Sequence, residues 1–179
     1  KNSRTFYGLG FDIHRLVKGR ILFLGGTRIP FHSGLEGHSD GDVILHAITD
    51  AILGALRRKD IGTYFPNTKK FKNIRSPKML KPIIGSLYKS NFSINNIDIN
   101  LICEQPKVSK FRDKIIKSLS KLLDIELIIL SRYFETLGCS QIRFISRLLI
   151  EKLDLLILSI IGFNILGDLI FLNFFELGK

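Results

Sequence analysis

The chain has 179 residues, 45% of them hydrophobic and 24% charged. These proportions fit a folded soluble domain and exclude disorder and collagen-like repetition, and the length suits a single domain over residues 1–179. Lys and Arg number 27 against 16 Asp and Glu, a net charge of +11 that favours anionic partners: nucleic acid, an acidic membrane or phosphorylated small molecules. The last stretch, 147–179, holds three basic and four acidic side chains, so the excess lies in 1–146. Cys103 and Cys139 are too few for a disulfide framework, and a reducing compartment is the plainer reading.

In chain order, Phe6 to Asp12 reads as a strand. Ile21 to Leu24 and Arg28 to Pro30 flank Gly25-Gly26, a hairpin signal. Loop chemistry runs from Phe31 to Asp42. Val43 to Leu56 has helical apolar spacing, with Ser39, Asp40 and Asp42 as candidate caps. Gly62 to Lys72 is polar, basic and interrupted by Pro66, and reads as a loop. Ser76 to Tyr88 predicts a helix with Pro77 in its first turn. Ile97 to Ile102 predicts a strand, Val108 to Leu123 an amphipathic basic helix, and Glu126 to Leu130 a short strand. Residues 153–175 are dense in Leu, Ile and Phe. Asp154 and Asp168 fall within them, and ionisable groups are costly in lipid, so a buried helix plus strand is expected rather than a membrane span.

All four histidines, His14, His32, His38 and His46, fall in one short stretch. Asp12 and His14 are two apart at a strand end, so their side chains share a face. His46 lies on the following helix. Asp/His/His is a workable three-ligand zinc set that leaves a fourth position for substrate, and an open position suits Lewis-acid work on a phosphoryl oxygen. Spacing alone is not specific here: each histidine by itself reads more readily as an ordinary polar surface or satisfied core residue than as a ligand. Asp50, one helical turn beyond His46, is placed to orient that ligand, or is a solvated helix carboxylate.

The local strings are more specific. GFDIHR at 10–15, GGTRIP at 25–30, HSDGDVILHAITDAILGA at 38–55, DIGTYFPN at 60–67 and NIDINLICEQPKV at 96–108 occur in order. Over about residues 6–125 the chain resembles the 2-C-methyl-D-erythritol 2,4-cyclodiphosphate synthase family of the non-mevalonate isoprenoid pathway. The resemblance implies cyclisation of 4-diphosphocytidyl-2-C-methyl-D-erythritol 2-phosphate with release of CMP. It implies Zn2+ on Asp12, His14 and His46, with His38 and Ser39 positioning the phosphate and stabilising its transition state. It further implies substrate contacts at Ile13, at Asp60, Ile61 and Gly62, at Phe65, Pro66 and Asn67, and, for the cytidine diphosphate end, at Cys103, Pro106 and Lys107. Glu135 matches the ligand of a second divalent cation, Mg2+ or Mn2+. The run Leu130 to Glu135 departs from the family's threonine-rich pattern, and Arg132 is the charge available there.

The implied fold is α+β: a ferredoxin-like mixed β-sheet with helices packed on one face, assembling as a cyclic homotrimer with active sites between subunits. An apolar sheet face that one chain cannot cover suits cyclic closure. The implied location is a plastid stroma in a eukaryote and the cytoplasm otherwise. The first residues hold no apolar signal-peptide core. Two other readings stand beside this one. One is a catalytically weakened or inactive zinc-binding trimer of the same fold, motivated by the altered run at 130–135. The other is a basic nucleic-acid or membrane-surface binder, motivated by Lys110, Arg112, Lys114, Lys117 and Lys121. The charges lack interleaved aromatics, so neither nucleic acid nor a membrane span is expected.

Overall fold

A computed structural model describes residues 5–125 throughout, and the strand backbone at 127–128, 140–146 and 168–178. Strand β1 (Thr5–Lys18) is followed by β2 (Leu22–Leu24), β3 (Thr27–Ile29), β4 (Ser33–Leu35) and helix α1 (Val43–Ala55). A single-turn helix α2 (Ile61–Tyr64) and a 3-10 turn at Lys69–Phe71 lead to α3 (Ser76–Lys89). Then come β5 (Ser93–Cys103), a 3-10 turn at Val108–Phe111, α4 (Arg112–Leu123), β6 (Leu127–Ile128), β7 (Ser140–Ser146) and β8 (Asp168–Gly178). The main sheet has the order β4-β1-β8-β5-β7-β6, and β2 and β3 form a separate hairpin.

Every described pairing in the main sheet is antiparallel, which corrects the expectation of a mixed sheet. The cause is the last strand: β8 runs between β1 and β5 and opposes both, pairing Thr5 to Gly178 on one side and Ser93 to Gly178 on the other. Strand β1 also continues past Asp12 to Lys18, because β4 pairs with its second half, Leu16 opposite Leu35 and Lys18 opposite Ser33. Sequence reading left β4 and α2 inside loops and did not foresee β7. The strand expected in the apolar segment 153–175 is found as β8, while 153–167, Arg132 and Glu135 lie outside the described residues.

Alternation along β1 separates two faces. Gly8 and Gly10 are buried toward the helices, while Tyr7, Leu9, Phe11 and Ile13 point the other way and are exposed. The core on the helix side joins Ile44, Ile48 and Ile52 of α1 to Leu80 and Leu87 of α3, Ile97, Ile99 and Leu101 of β5, and Ile115, Leu119 and Leu123 of α4. Each such side chain contributes roughly 1.5–3 kcal/mol by leaving water.

Helix α1 approaches β1 unusually closely. A Cβ added at Gly10 would stand 1.8 Å from the Ala47 carbonyl oxygen, and one at Gly8 would stand 1.9 Å from that of Ala51. Only glycine fits at either position, because the obstacle is helix backbone, which cannot rotate aside. The other end of α1 is set by Asp42. Its carboxylate caps the helix by accepting from Leu45 N at 3.2 Å, and it also accepts from Gly25 N at 2.8 Å and Gly26 N at 2.6 Å. Gly25 and Gly26, at φ 58° and 80°, make the two-residue turn between β2 and β3. One buried carboxylate therefore joins the hairpin tip to the helix start. Of the three candidate caps, Asp42 is the one that caps. Its burial, and also the charge of Asp40, push its carboxyl up to about 6 against the three N–H groups that hold it down.

Gly10→Ala should cost about 3 kcal/mol in urea denaturation, the upper range for overpacking, because α1 must move off the sheet. In metal-free protein, Asp42 is harder to ionise folded than unfolded. Its contribution is full below pH 3.8 and is lost as pH rises through about 6. Asp42→Asn should be less stable at every pH, since one glycine N–H loses its acceptor. Its unfolding free energy should also fall less than that of the wild type between pH 4 and 7, by roughly 2 kcal/mol.

Candidate active site

Strand β1 and the first turn of α1 bring three ligand atoms together. Asp12 Oδ2 lies 2.9 Å from His14 Nε2 and 2.9 Å from His46 Nδ1, and the two histidine nitrogens are 3.3 Å apart. Atoms bound at about 2.0–2.1 Å around a tetrahedral zinc stand about 3.3 Å from each other, so the triangle has the size of one tetrahedral face. The hydrogen-bond partners support the same reading. His14 Nδ1 contacts the Glu36 carbonyl, which only accepts, so Nδ1 carries a proton and the neutral ring presents its lone pair at Nε2. Asp12 Oδ1 accepts from Ile13 N at 3.0 Å, leaving Oδ2 for the cluster. Two imidazoles and a carboxylate converging on one point fit a divalent transition metal. Among the described residues this is also the cluster whose ligand atoms lie close enough to share an ion.

Burial pushes Asp12 up, but hydrogen bonds and charge from His14 and His46 outweigh it and bring the carboxyl down to about 2. Burial likewise pushes His14 down, and its bond to Asp12 reverses that and raises it. Asp12 is therefore an anion across the physiological range, as a metal ligand must be.

Beside the triad opens a cleft of about 300 Å³ lined by His38, Ser39, Ile61, Gly62, Phe65 and Asn67. The loop carrying His38 and Ser39 is held from behind by Arg20, which donates to Gly37 O at 2.9 Å and Ser39 O at 2.7 Å. His38 donates from Nε2 to Thr68 O at 2.7 Å, which ties the loop to the far wall of the cleft. Ser39 Oγ is 3.0 Å from His46 Nε2. Arg20 was missed by sequence reasoning, as was Ser76, whose Oγ also reaches His46 Nε2 at 3.0 Å. No local motif marks either residue; their partners are 17 to 30 positions away.

Other expected residues lie elsewhere. Ile13 points to the opposite face of β1, as alternation requires. Pro66 is exposed on the loop. Asp60 caps α2, accepting from Thr63 N at 2.9 Å, and that bond lowers its carboxyl. Asp50 corrects the sequence reading: it accepts from Ile61 N at 2.7 Å and so holds α2, rather than orienting His46. Helical side chains lean toward the N-terminus, so the ring of His46 reaches back to Ser39 and Ser76, away from the next turn. Asp50 is raised by its burial. Cys103, Pro106 and Lys107 do not line this cleft. Cys103 ends β5, where Ile102 shares Ile170 of β8 with Ile13 of β1, and Pro106 and Lys107 lie in the segment that follows. Cys103 is thus level with the triad but two strand spacings away, roughly 10 Å.

Fold and site together define an α+β protein with a candidate three-residue metal site at the mouth of a cleft. A family model described as the YgbB family matches residues 5–133. A 2-C-methyl-D-erythritol 2,4-cyclodiphosphate synthase of Hydrogenobaculum sp. is 51% identical over 119 residues, covering 66% of this chain and 76% of that protein. A bifunctional enzyme IspD/IspF of Pelagibacter ubique is 49% identical over 125 residues, covering 69% of this chain but 34% of the longer protein. Among solved structures, the IspF CDP complex of Plasmodium falciparum superposes with a TM-score of 0.68 at 31% identity, over 99% of this chain and 97% of that one. The chain belongs to the YgbB family.

Proposed function

We propose that this chain converts 4-diphosphocytidyl-2-C-methyl-D-erythritol 2-phosphate to 2-C-methyl-D-erythritol 2,4-cyclodiphosphate and CMP, a lyase reaction of isoprenoid precursor biosynthesis. The observation that carries the reading is the Asp12/His14/His46 triangle opening into a cleft lined by His38 and Ser39, in a chain that over 66% of its length is about half identical to synthases of that name. The substrate supplies its own nucleophile. An oxygen of the 2-phosphate bonds to the β-phosphorus, the bond from that phosphorus to the bridging oxygen breaks, and the electron pair leaves with CMP. The protein's task is to position the two phosphoryl groups and offset their charge.

Asp12, His14 and His46 are the residues that would hold Zn2+. The bound ion would supply Lewis-acid polarisation of a phosphoryl oxygen. Arg20 fixes the backbone of Gly37 and Ser39, and the bond from His38 to Thr68 fixes the opposite wall, so the cleft is preformed. A second divalent cation, Mg2+ or Mn2+, belongs to the proposal through Glu135. A metal-binding scaffold without activity is not favoured.

We further propose a homotrimer. Tyr7, Leu9, Phe11 and Ile13 form an apolar stripe on β1, each between 39% and 59% exposed, on the face the helices leave open. Burying it between copies would bring another subunit's Cys103 to Lys107 segment toward the cleft, which its own chain leaves roughly 10 Å short. The basic binder is not favoured. Lys114, Lys117 and Lys121 are the solvated side of a helix whose other side buries Ile115, Leu119 and Leu123. Among the described residues, no helix is long and apolar enough to cross a membrane.

CMP release from the cytidine substrate with Zn2+ and Mg2+ present should be readily measured, and His46→Ala should lower it by about 10²- to 10³-fold, the scale of losing transition-state charge stabilisation. No CMP from the wild-type protein would overturn the reading. Light scattering should give three times the mass of one chain, and Leu9→Asp should shift it toward the monomer, because a charge would enter the shared apolar face.

A further inference from the structure

We infer that Ser76, backed by Asp40, is a positioning residue that fixes the tautomer and ring orientation of His46 and so sets the metal affinity of the centre. The inference rests on the metal reading above and adds residues that lie outside the triad. Ser76 opens α3 and is 1% exposed. Its Oγ lies 3.0 Å from His46 Nε2 and also contacts Asp40 Oδ1 in a short hydrogen bond. Asp40 is itself buried. It is surrounded by donors: Arg75 Nε at 2.8 Å and Ser76 N at 3.0 Å on Oδ2, and Asp42 N at 3.3 Å on Oδ1. Arg75 is fixed in turn, with its guanidinium stacked 3.6 Å over the Phe23 ring and Nη2 donating to Gly26 O at 3.3 Å.

The direction of the hydrogen bonds follows from these partners. With Arg75 Nε and Ser76 N donating to one oxygen and Asp42 N to the other, the Asp40 carboxylate acts as an acceptor. The single hydroxyl proton of Ser76 must therefore point to Asp40. That leaves Ser76 Oγ with lone pairs toward His46, so Nε2 must be the donor. The neutral ring then has no proton on Nδ1, the atom facing Asp12 Oδ2 and His14 Nε2. The Glu36 carbonyl imposes the matching condition on His14. In their neutral forms both histidines thus turn a lone pair to the same point, where an ion would take the place of the protons that bond Asp12. Ser39 Oγ, also 3.0 Å from Nε2, can accept from the same N–H. However, Ser39 Oγ also accepts from Gly41 N at 3.2 Å, and no carboxylate claims its proton among the described residues, so it can donate to His46 as well as accept. Ser76 is the partner that removes the choice.

The test is zinc affinity, measured by competition with a chromophoric chelator, on wild type, Ser76→Ala, Ser76→Thr and Asp40→Asn. Loss of an outer partner of a metal-bound histidine typically weakens binding 10- to 100-fold. Ser76→Ala should fall in that range while keeping its circular dichroism spectrum, and Ser76→Thr, which keeps the hydroxyl, should recover most of the loss. Asp40→Asn should also weaken binding, since an amide can donate to Ser76 and release its proton toward His46. Unchanged affinity in folded Ser76→Ala would overturn the inference and leave the metal reading intact. Absence of stoichiometric zinc in the wild type would overturn the metal reading and this inference together. If Ser76→Ala does not fold, nitrogen-15 histidine spectra of the wild type decide. A protected Nε2–H on His46 is expected in both metal-free and zinc-loaded protein, and an Nε2 without a proton in the metal-free form would overturn the inference.

Discussion

The closeness of α1 to β1 governs the rest of this molecule. Asp12 and His14 sit on the strand and His46 on the helix, and three ligand atoms from two elements must meet within about one tetrahedral face. Helices and sheets ordinarily stack about 10 Å apart with side chains between them. Here Gly8 and Gly10 face the carbonyls of Ala51 and Ala47 with no room for a Cβ. The glycines thus serve a site they do not touch, by setting the distance at which a carboxylate and two imidazoles can share one ion.

Around that contact, buried carboxylates act as joints. Asp42 ties the β2–β3 turn to the start of α1, and Asp40 ties the start of α3 to the loop before α1. Asp50 ties α2 to the middle of α1. Each accepts from backbone N–H groups at the start of a helix or at a tight turn, where donors lack partners of their own. Burying a carboxylate is costly unless such donors surround it. The cost shows in Asp42, which is pushed up by burial, and is outweighed in Asp12, where two histidines supply the opposing interaction. Asp12 is poised for a cation, while Asp40, Asp42 and Asp50 are occupied with holding the frame.

Much of this was legible in the chain. The order of strands and helices through Leu123 followed from periodicity and turn residues, with Gly25-Gly26 marking the hairpin and the apolar spacing after Asp42 marking α1. The triad was legible because two of its members are two apart on a strand and the third opens the next helix. What escaped was short or remote. Ser33 to Leu35 is a strand only because β1 offers an edge to it, and four residues from Ile61 to Tyr64 are too few to show a period. Strand direction in the sheet escaped as well, since the place of β8 between β1 and β5 is a pairing over more than 60 residues and leaves no local mark.

By itself, then, the sequence determined the chemistry: which residue types are present, that Asp12 and His14 share a face, and that a helix bearing His46 follows a capped turn. These are local properties, governed by backbone period and capping, and a linear string carries them. Only the tertiary structure decided which neighbours those groups would have. Ser76 and Asp40 reach each other across 36 positions, and Asp50, for which a place beside His46 and a solvated helix face were both open, accepts from Ile61 instead. The physical reason is directional. A hydrogen bond depends on where a donor points after packing is complete, and packing sums contacts from elements far apart in the chain.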